Sequence, residues 1–135
     1  MEPIPDYETV EIIEKCANRI RKKIPLFTYS LIYCRTKNTH STHCKTLECA
    51  FKLAKQFPRL TFGYDLLVDE EKNPTNQYNQ KDILIVNYND LKIKHGSQVH
   101  FVFHAGESHD DLNMNIMDSM LLGTKRIGHG NLLFK

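Results

Sequence analysis

The chain has 135 residues, 41% of them hydrophobic and 25% charged, with a formal net charge of +2. That composition is ordinary for a globular chain, and so small a net charge makes no electrostatic case for nucleic acid or an anionic membrane as partner. No apolar run approaches the roughly 20 residues of a membrane span, and the start, Met1-Glu2-Pro3-Ile4-Pro5-Asp6, has neither the basic nor the apolar region of an export signal.

In chain order, residues 7 to 24 place Val10, Ile13, Ala17, Ile20 and Ile24 at helical spacing, with Asp6 as N-cap and Pro25 as stop. Leu26 to Cys34, rich in aromatic and β-branched types, reads as a strand, followed by a loop from Arg35 to about Thr42. His43 to Phe57 is a second amphipathic helix with Leu47, Ala50, Phe51 and Ala54 inward, ended by Pro58. Arg59 to Val68 is the second strand, and the polar run from Asp69 to Gln77 is a long loop of the kind that carries lids and substrate contacts. Residues 81 to 95 fit a buried strand at Ile83-Leu84-Ile85-Val86, but Leu84, Tyr88 and Leu91, with Gly96 as stop, favour a helix.

Val99 to His104 is the third strand, with Val99, Phe101 and Phe103 on one face and His100, Val102 and His104 on the other. Asp110 or Asp111 caps a helix with Leu112, Ile116, Met117, Met120 and Leu121 inward and Gly123 after its end, and Arg126 to about Leu132 is the fourth strand. Strands separated by helices predict βα units, and therefore a parallel sheet with right-handed crossovers, in an α/β fold without a second domain. The cysteines Cys16, Cys34, Cys44 and Cys49 form no C-x-x-C pair and read as free or buried thiols.

Chemistry concentrates in Val102-Phe103-His104-Ala105-Gly106-Glu107 and Arg126-Ile127-Gly128-His129-Gly130. Each is a strand running into a loop, so a potential metal ligand, a carboxylate and a second imidazole reach one rim of a sheet. An imidazole holds a metal through one nitrogen, and a carboxylate three residues on can carry protons for a bound water. Without their flanks the same residues also read as a buried strand histidine (His104), a helix-start carboxylate (Glu107) and a turn residue (His129). His40, His43 and Cys44 have ligand-like types but lie at a loop and helix start, and read as a solvated loop; His95, His100 and His109 carry no motif.

The flanks carry a resemblance. Phe-Val-Phe-His-Ala-Gly-Glu-Ser at 101 to 108, Leu-Leu-Gly-Thr-Lys-Arg-Ile-Gly-His-Gly at 121 to 130, and Gly63-Tyr64-Asp65-Leu66 upstream resemble the adenosine deaminase family, and more closely its secreted, growth-factor-type branch. The likeness spans most of residues 7 to 135 and implies an internal fragment, residues 1 to 135, of a barrel of eight parallel strands, a partial (β/α)8 TIM barrel of about four βα units. Length agrees, since such a barrel takes about 250 residues. The resemblance further implies a zinc hydrolase that converts adenosine, or a related purine nucleoside, to inosine and ammonia. His104 would be one zinc ligand of four, and Glu107 the carboxylate that protonates the purine ring, for which it needs a raised pKa in a dry pocket. His129 would be the imidazole that orients or deprotonates the attacking water. Gly106 and the backbone of Val68 match substrate-contacting positions. A secreted location and a homodimer of the full-length protein belong to the same implication.

The departures are specific. No H-x-H occurs in the chain, and it stops five residues after Gly130, so the other three zinc ligands have no match. One ligand cannot hold catalytic zinc. Val68 stands where the family has glycine, and Arg35 or Thr36 stands near the position of its substrate-contacting histidine. Three expectations follow: a deaminase fragment inactive by itself, a degenerate relative that binds a nucleoside or receptor without catalysis, or an unrelated small α/β domain with chance motifs.

Overall fold

The computed structural model describes residues 6–35, 40–67, 69–72, 76–108 and 112–134, leaving aside the side chains of 35, 40–44, 76, 77, 83 and 134. It divides into two compact units, Met1–Ser30 and Leu31–Lys135.

The first unit is built on helix α1, Asp6–Arg21. Asp6 and Glu8 lie in its first turn and Arg19 and Arg21 in its last, each sign at the pole of the helix dipole that attracts it. Val10 and Ala17 are buried as expected, whereas Ile20 and Ile24 are 39% and 57% exposed. The N–H groups of Lys23 and Ile24 both donate to the Ile20 carbonyl, which closes the helix before Pro25 and leaves Ile24 outside it. The segment that follows doubles back on α1. Arg21 Nε donates to the Phe27 carbonyl at 3.2 Å, and the Tyr29 hydroxyl donates to Glu14 at 2.5 Å. Those bonds explain why the strand expected from Leu26 begins only at Leu31.

The second unit runs β1 (Leu31–Arg35), α2 (His40–Gln56), β2 (Phe62–Leu66), a short α3 (Asn76–Asn79), then a π-helical turn Ile83–Asn87 leading into α4 (Tyr88–His95). It continues through β3 (Val99–Phe101), β4 (His104–Ala105), α5 (Asn115–Leu121), β5 (Gly128–His129) and a 3-10 turn, Asn131–Phe134. The helical reading of 81–95 holds, with Gly96 in the left-handed conformation (φ 61°) returning its N–H to the Lys92 carbonyl.

All strand pairs are parallel. β2 lies between β1 and β3, and β4 pairs with β5. β3 and β4 are successive pieces of one extended run, Val99 to Ala105, which serves both ladders. Val102 N–H donates to the Tyr64 carbonyl on one side, while Lys125 and Gly128 N–H donate to the Phe101 and Phe103 carbonyls on the other. The described strands therefore follow one another across the sheet in chain order, the arrangement that βα units produce.

One face of the sheet is covered. Phe62, Tyr64, Leu66, Val99, Phe101, Phe103 and Ala105 are at most 7% exposed and pack with Leu47, Ala50, Phe51 and Ala54 of α2 and with Leu84. Each large apolar side chain so buried contributes about 1.5–3 kcal/mol before entropy is counted. Rings of Phe51, Tyr88, Phe101 and Phe103 follow one another at centroid distances of 4.9–5.2 Å, and the Tyr88 hydroxyl donates to the Val99 carbonyl at 2.8 Å, fastening α4 to the sheet. The other face carries Ile32, Cys34, Asp65, His100, Val102 and His104, none of them buried. That alternation along Val99–His104 is the one its sequence predicts.

Two elements differ from expectation. α5 buries Asn115, Ile116 and Ser119 and leaves Met117, Met120 and Leu121 53–84% exposed, and Leu112, which lies before the helix, is 77% exposed. The helix starts at Asn115, whose N–H donates to Asn113 Oδ1 at 2.9 Å, and this anchor sets its rotation. The expected caps Asp110 and Asp111 lie outside the described residues. The last strand pairs only at Gly128–His129 because His129 (φ 64°) and Gly130 (φ 71°) are both left-handed, a conformation that ends an extended run. Cys16, Cys34 and Cys49 are free thiols, with Cys16 and Cys34 exposed. Among the described residues no helix is long and apolar enough to cross a membrane.

Candidate active site

Parallel strands in register bring their carboxyl ends to one edge, and the side chains singled out by sequence collect there. Asp65 is the penultimate residue of β2, His104 opens β4, and His129 ends β5. Both oxygens of Asp65 lie 3.2 Å from His104 Nδ1, and Asp65 Oδ1 also accepts the backbone N–H of His104 at 3.1 Å and of Leu66 at 2.8 Å. A carboxylate facing Nδ1 favours a proton there, so in the neutral ring Nε2 is the nitrogen that carries the lone pair. The two side chains are only 11% and 15% exposed. Partial desolvation of its sulfur, and then the carboxylate of Asp65, its register partner, push the thiol of Cys34 up.

The His104 and His129 rings stand edge to face, with centroids 6.3 Å apart. Gly128, the register partner of His104, lies close against it, and a Cβ there would sit 3.3 Å from the His104 Cβ. His129 Nε2 lies 3.7 Å from Glu107 Oε2, and both side chains are open to water at 42% and 58% exposure. Water-exposed pairs of this kind interact weakly. The dry surroundings that a proton-donating glutamate needs are absent among the described residues of this chain. Gly106 holds a φ of 71° and is buried, with its N–H donated to Glu70 at 3.1 Å.

Glu70, from the loop after β2, is 3% exposed yet accepts the N–H groups of Gly106, Glu107 and Ser108 at 3.1, 2.7 and 3.4 Å and the side-chain amide of Asn113 at 3.3 Å. A cleft of about 310 Å³ opens beside it, lined by Asp69, Glu70, Glu71, Glu107 and Ser108.

These residues do not complete a metal centre. Among the described residues no group of three or more His, Cys, Asp or Glu side chains is arranged to hold an ion. The Asp65–His104 pair does have the form in which a metal-ligating histidine is steadied by a carboxylate on its other nitrogen. Val68, His109 and the side chains of His40, His43 and Cys44 lie outside the described residues.

Two participants gain roles that sequence reasoning did not assign. Asp65 was legible only as part of the Gly63-Tyr64-Asp65-Leu66 motif, and Glu70 stood within a polar run read simply as loop. A carboxylate next to apolar Leu66 at a strand's carboxyl end was the available signal for the first. Nothing local marks Glu70, whose partners are 36 or more residues away.

Fold and site together define an α/β chain whose parallel sheet gathers a histidine–carboxylate pair, a second histidine and a second carboxylate at its carboxyl edge, the location of ligand sites in open parallel sheets and barrels. Known proteins give this class a direction. The chain is 30% identical to "Adenosine deaminase" of Phlebotomus duboscqi, an alignment that takes in 95% of this chain and 24% of that protein. It is 31% identical to "Adenosine deaminase 2" of Dictyostelium discoideum over 93% of this chain and 23% of that protein. Against "Adenosine deaminase" of Aedes albopictus it is 32% identical over 67% of this chain and 16% of that protein. The chain spans a quarter or less of the length of such curated relatives. No family model matches it.

Proposed function

We propose that the chain is a segment, about four of eight strands, of an adenosine deaminase-type (β/α)8 hydrolase, and that the complete protein turns adenosine and water into inosine and ammonia. The observation that carries this reading is the convergence of His104, Glu107 and His129 on one sheet edge, with Asp65 braced behind His104. Relatives named adenosine deaminase, similar over most of the chain, support it. In this reading Glu107 donates a proton to the purine ring nitrogen beside the carbon under attack, and His129 accepts a proton from the attacking water. His104 offers Nε2 as one ligand of a zinc site whose other ligands come from outside these residues, and the metal would supply an acidified water. Gly106 and the backbone of Val68 border the purine. The growth-factor-type branch and its secreted location rest on the same motifs.

A second reading is a relative that binds a nucleoside or receptor without turnover, and Val68 in the position of a family glycine favours it. Completing the chain with the missing strands and following adenosine by ultraviolet absorbance separates the two. Deamination that Glu107→Gln abolishes while zinc content persists, with His104→Ala lowering zinc, supports the enzyme. Nucleoside binding without turnover in the completed wild type supports the second reading. The 135-residue chain alone should show no deamination and should associate, because β1 and β5 present open sheet edges; a monomer by light scattering that converts adenosine would refute the fragment reading.

A further inference from the structure

A carboxylate 3% exposed is costly to bury unless donors surround it, and Glu70 has four. Three of them are consecutive backbone N–H groups, from Gly106, Glu107 and Ser108, which together form the anion-cradling concavity that a left-handed residue followed by others can make. Here the cradle is filled by the protein's own acid. The shortest bond, 2.7 Å, goes to the N–H of Glu107, whose side chain is 58% exposed and comes within 3.7 Å of His129.

The donor side is also cross-braced. The Asn113 amide gives to Glu70 and to the Ser108 hydroxyl at 3.1 Å, while Asn113 Oδ1 receives the N–H that starts α5. β2 and its loop thus grip the following segment at two points, Asp65 on His104 and Glu70 on residues 106–108.

We infer that Glu70 is a positioning residue, a charged latch between the loop after β2 and the loop after β4 that fixes the Glu107 backbone so that its carboxylate is presented to the reacting edge. The inference rests on the deaminase reading for its catalytic consequence, but the latch exists independently of it. Glu70→Gln keeps the shape and changes the bonding. An amide has a single oxygen, so whichever way it turns, its NH2 must face either the N–H of Gly106 or those of Glu107 and Ser108.

Hydrogen exchange resolved at residues 106–108 of this chain tests the latch directly. Either the amide of Gly106 or those of Glu107 and Ser108 should exchange at least about tenfold faster in Glu70→Gln, with the strand amides of 62–66 and 99–101 unchanged. Equal rates in the two proteins would overturn the inference. Should Glu70→Gln loosen the strands as well, Asn113→Ala decides, because it leaves the acid in place and removes one donor. It should speed exchange at 106–108 by a smaller factor, and no change there would equally overturn the latch. In the completed enzyme, Glu70→Gln should lower kcat about 10–100-fold with KM within about threefold and zinc content unchanged, the signature of a displaced reacting group. An active completed wild type whose Glu70→Gln variant keeps its kcat would remove the positioning role. A completed wild type without deaminase activity would refute the proposed function instead, leaving the exchange result to judge Glu70.

Discussion

Gly106→Ala is the sharpest local test of how the site loop is built. Its φ of 71° places any L side chain in the left-handed region, at a cost of roughly 1–2 kcal/mol. The new Cβ would also fall 2.3 Å from Ile116 Cδ1 and 2.8 Å from its Cγ1. Ile116 is 5% exposed on the buried face of α5 and has little room to retreat, so overpacking adds about 1–3 kcal/mol. The sum, about 2–5 kcal/mol, should appear in urea unfolding followed by circular dichroism, and as a fall in Tm of about 10 °C or more. A double-mutant cycle separates the two parts. Ile116→Ala removes both clashing atoms, so Gly106→Ala should cost about 1–3 kcal/mol less in that background. A single-mutant cost below about 1 kcal/mol, or a cycle without coupling, would refute the account of Gly106 as a position closed by both backbone and neighbour.

Asp65→Asn should lower the zinc affinity of the completed protein about 10–100-fold while leaving its fold intact, as metal titration would show, because the amide no longer orders the His104 ring as a carboxylate does. Burial pushes the Asp118 carboxyl up, and its Oδ2 has no hydrogen-bond partner among the described residues. A raised acid favours the fold below its unfolded pKa of about 3.9 and loses that contribution as pH climbs through the folded value, so at neutral pH Asp118→Asn should stabilise by on the order of 1 kcal/mol, with the gain gone below about pH 4. Thermal melts at pH 7 and below pH 4 check both limbs. Burial, together with the hydroxyl's bond to Glu14, pushes Tyr29 up to about 12, so this tyrosine should ionise late in an ultraviolet titration and Glu14→Gln should bring it down. Its contribution to stability is complete below about pH 10 and disappears as pH rises through 12.

Elements whose identity rests on buried periodicity were legible. α2, with Leu47, Ala50, Phe51 and Ala54, and the run Val99–His104, with its alternating faces, follow patterns that burial alone imposes. Elements whose limits depend on distant bonds were not. The strand expected from Leu26 is held back by Arg21 and Glu14, and α5 is rotated by an anchor at Asn113 that itself depends on Glu70, far away in sequence. The site divides in the same way. His104, Glu107 and His129 are readable because each sits in a strand-to-loop motif. Asp65 and Glu70 act through side chains and N–H groups brought near only by the parallel register, which no local pattern encodes.

That register has a further consequence. Val99 to Ala105 is paired on both flanks, so its phase is counted twice, once against β2 and once against the chain near β5. Side chains alternate along a strand, so a slip of one residue would turn His104 into the covered face and bring Phe103 or Ala105 to the rim. Such a slip would spoil both ladders and bury a ring that Asp65 could no longer reach. The chemistry of the edge is therefore proofread by the backbone, and the pairing error most damaging to it is also the one the sheet resists most.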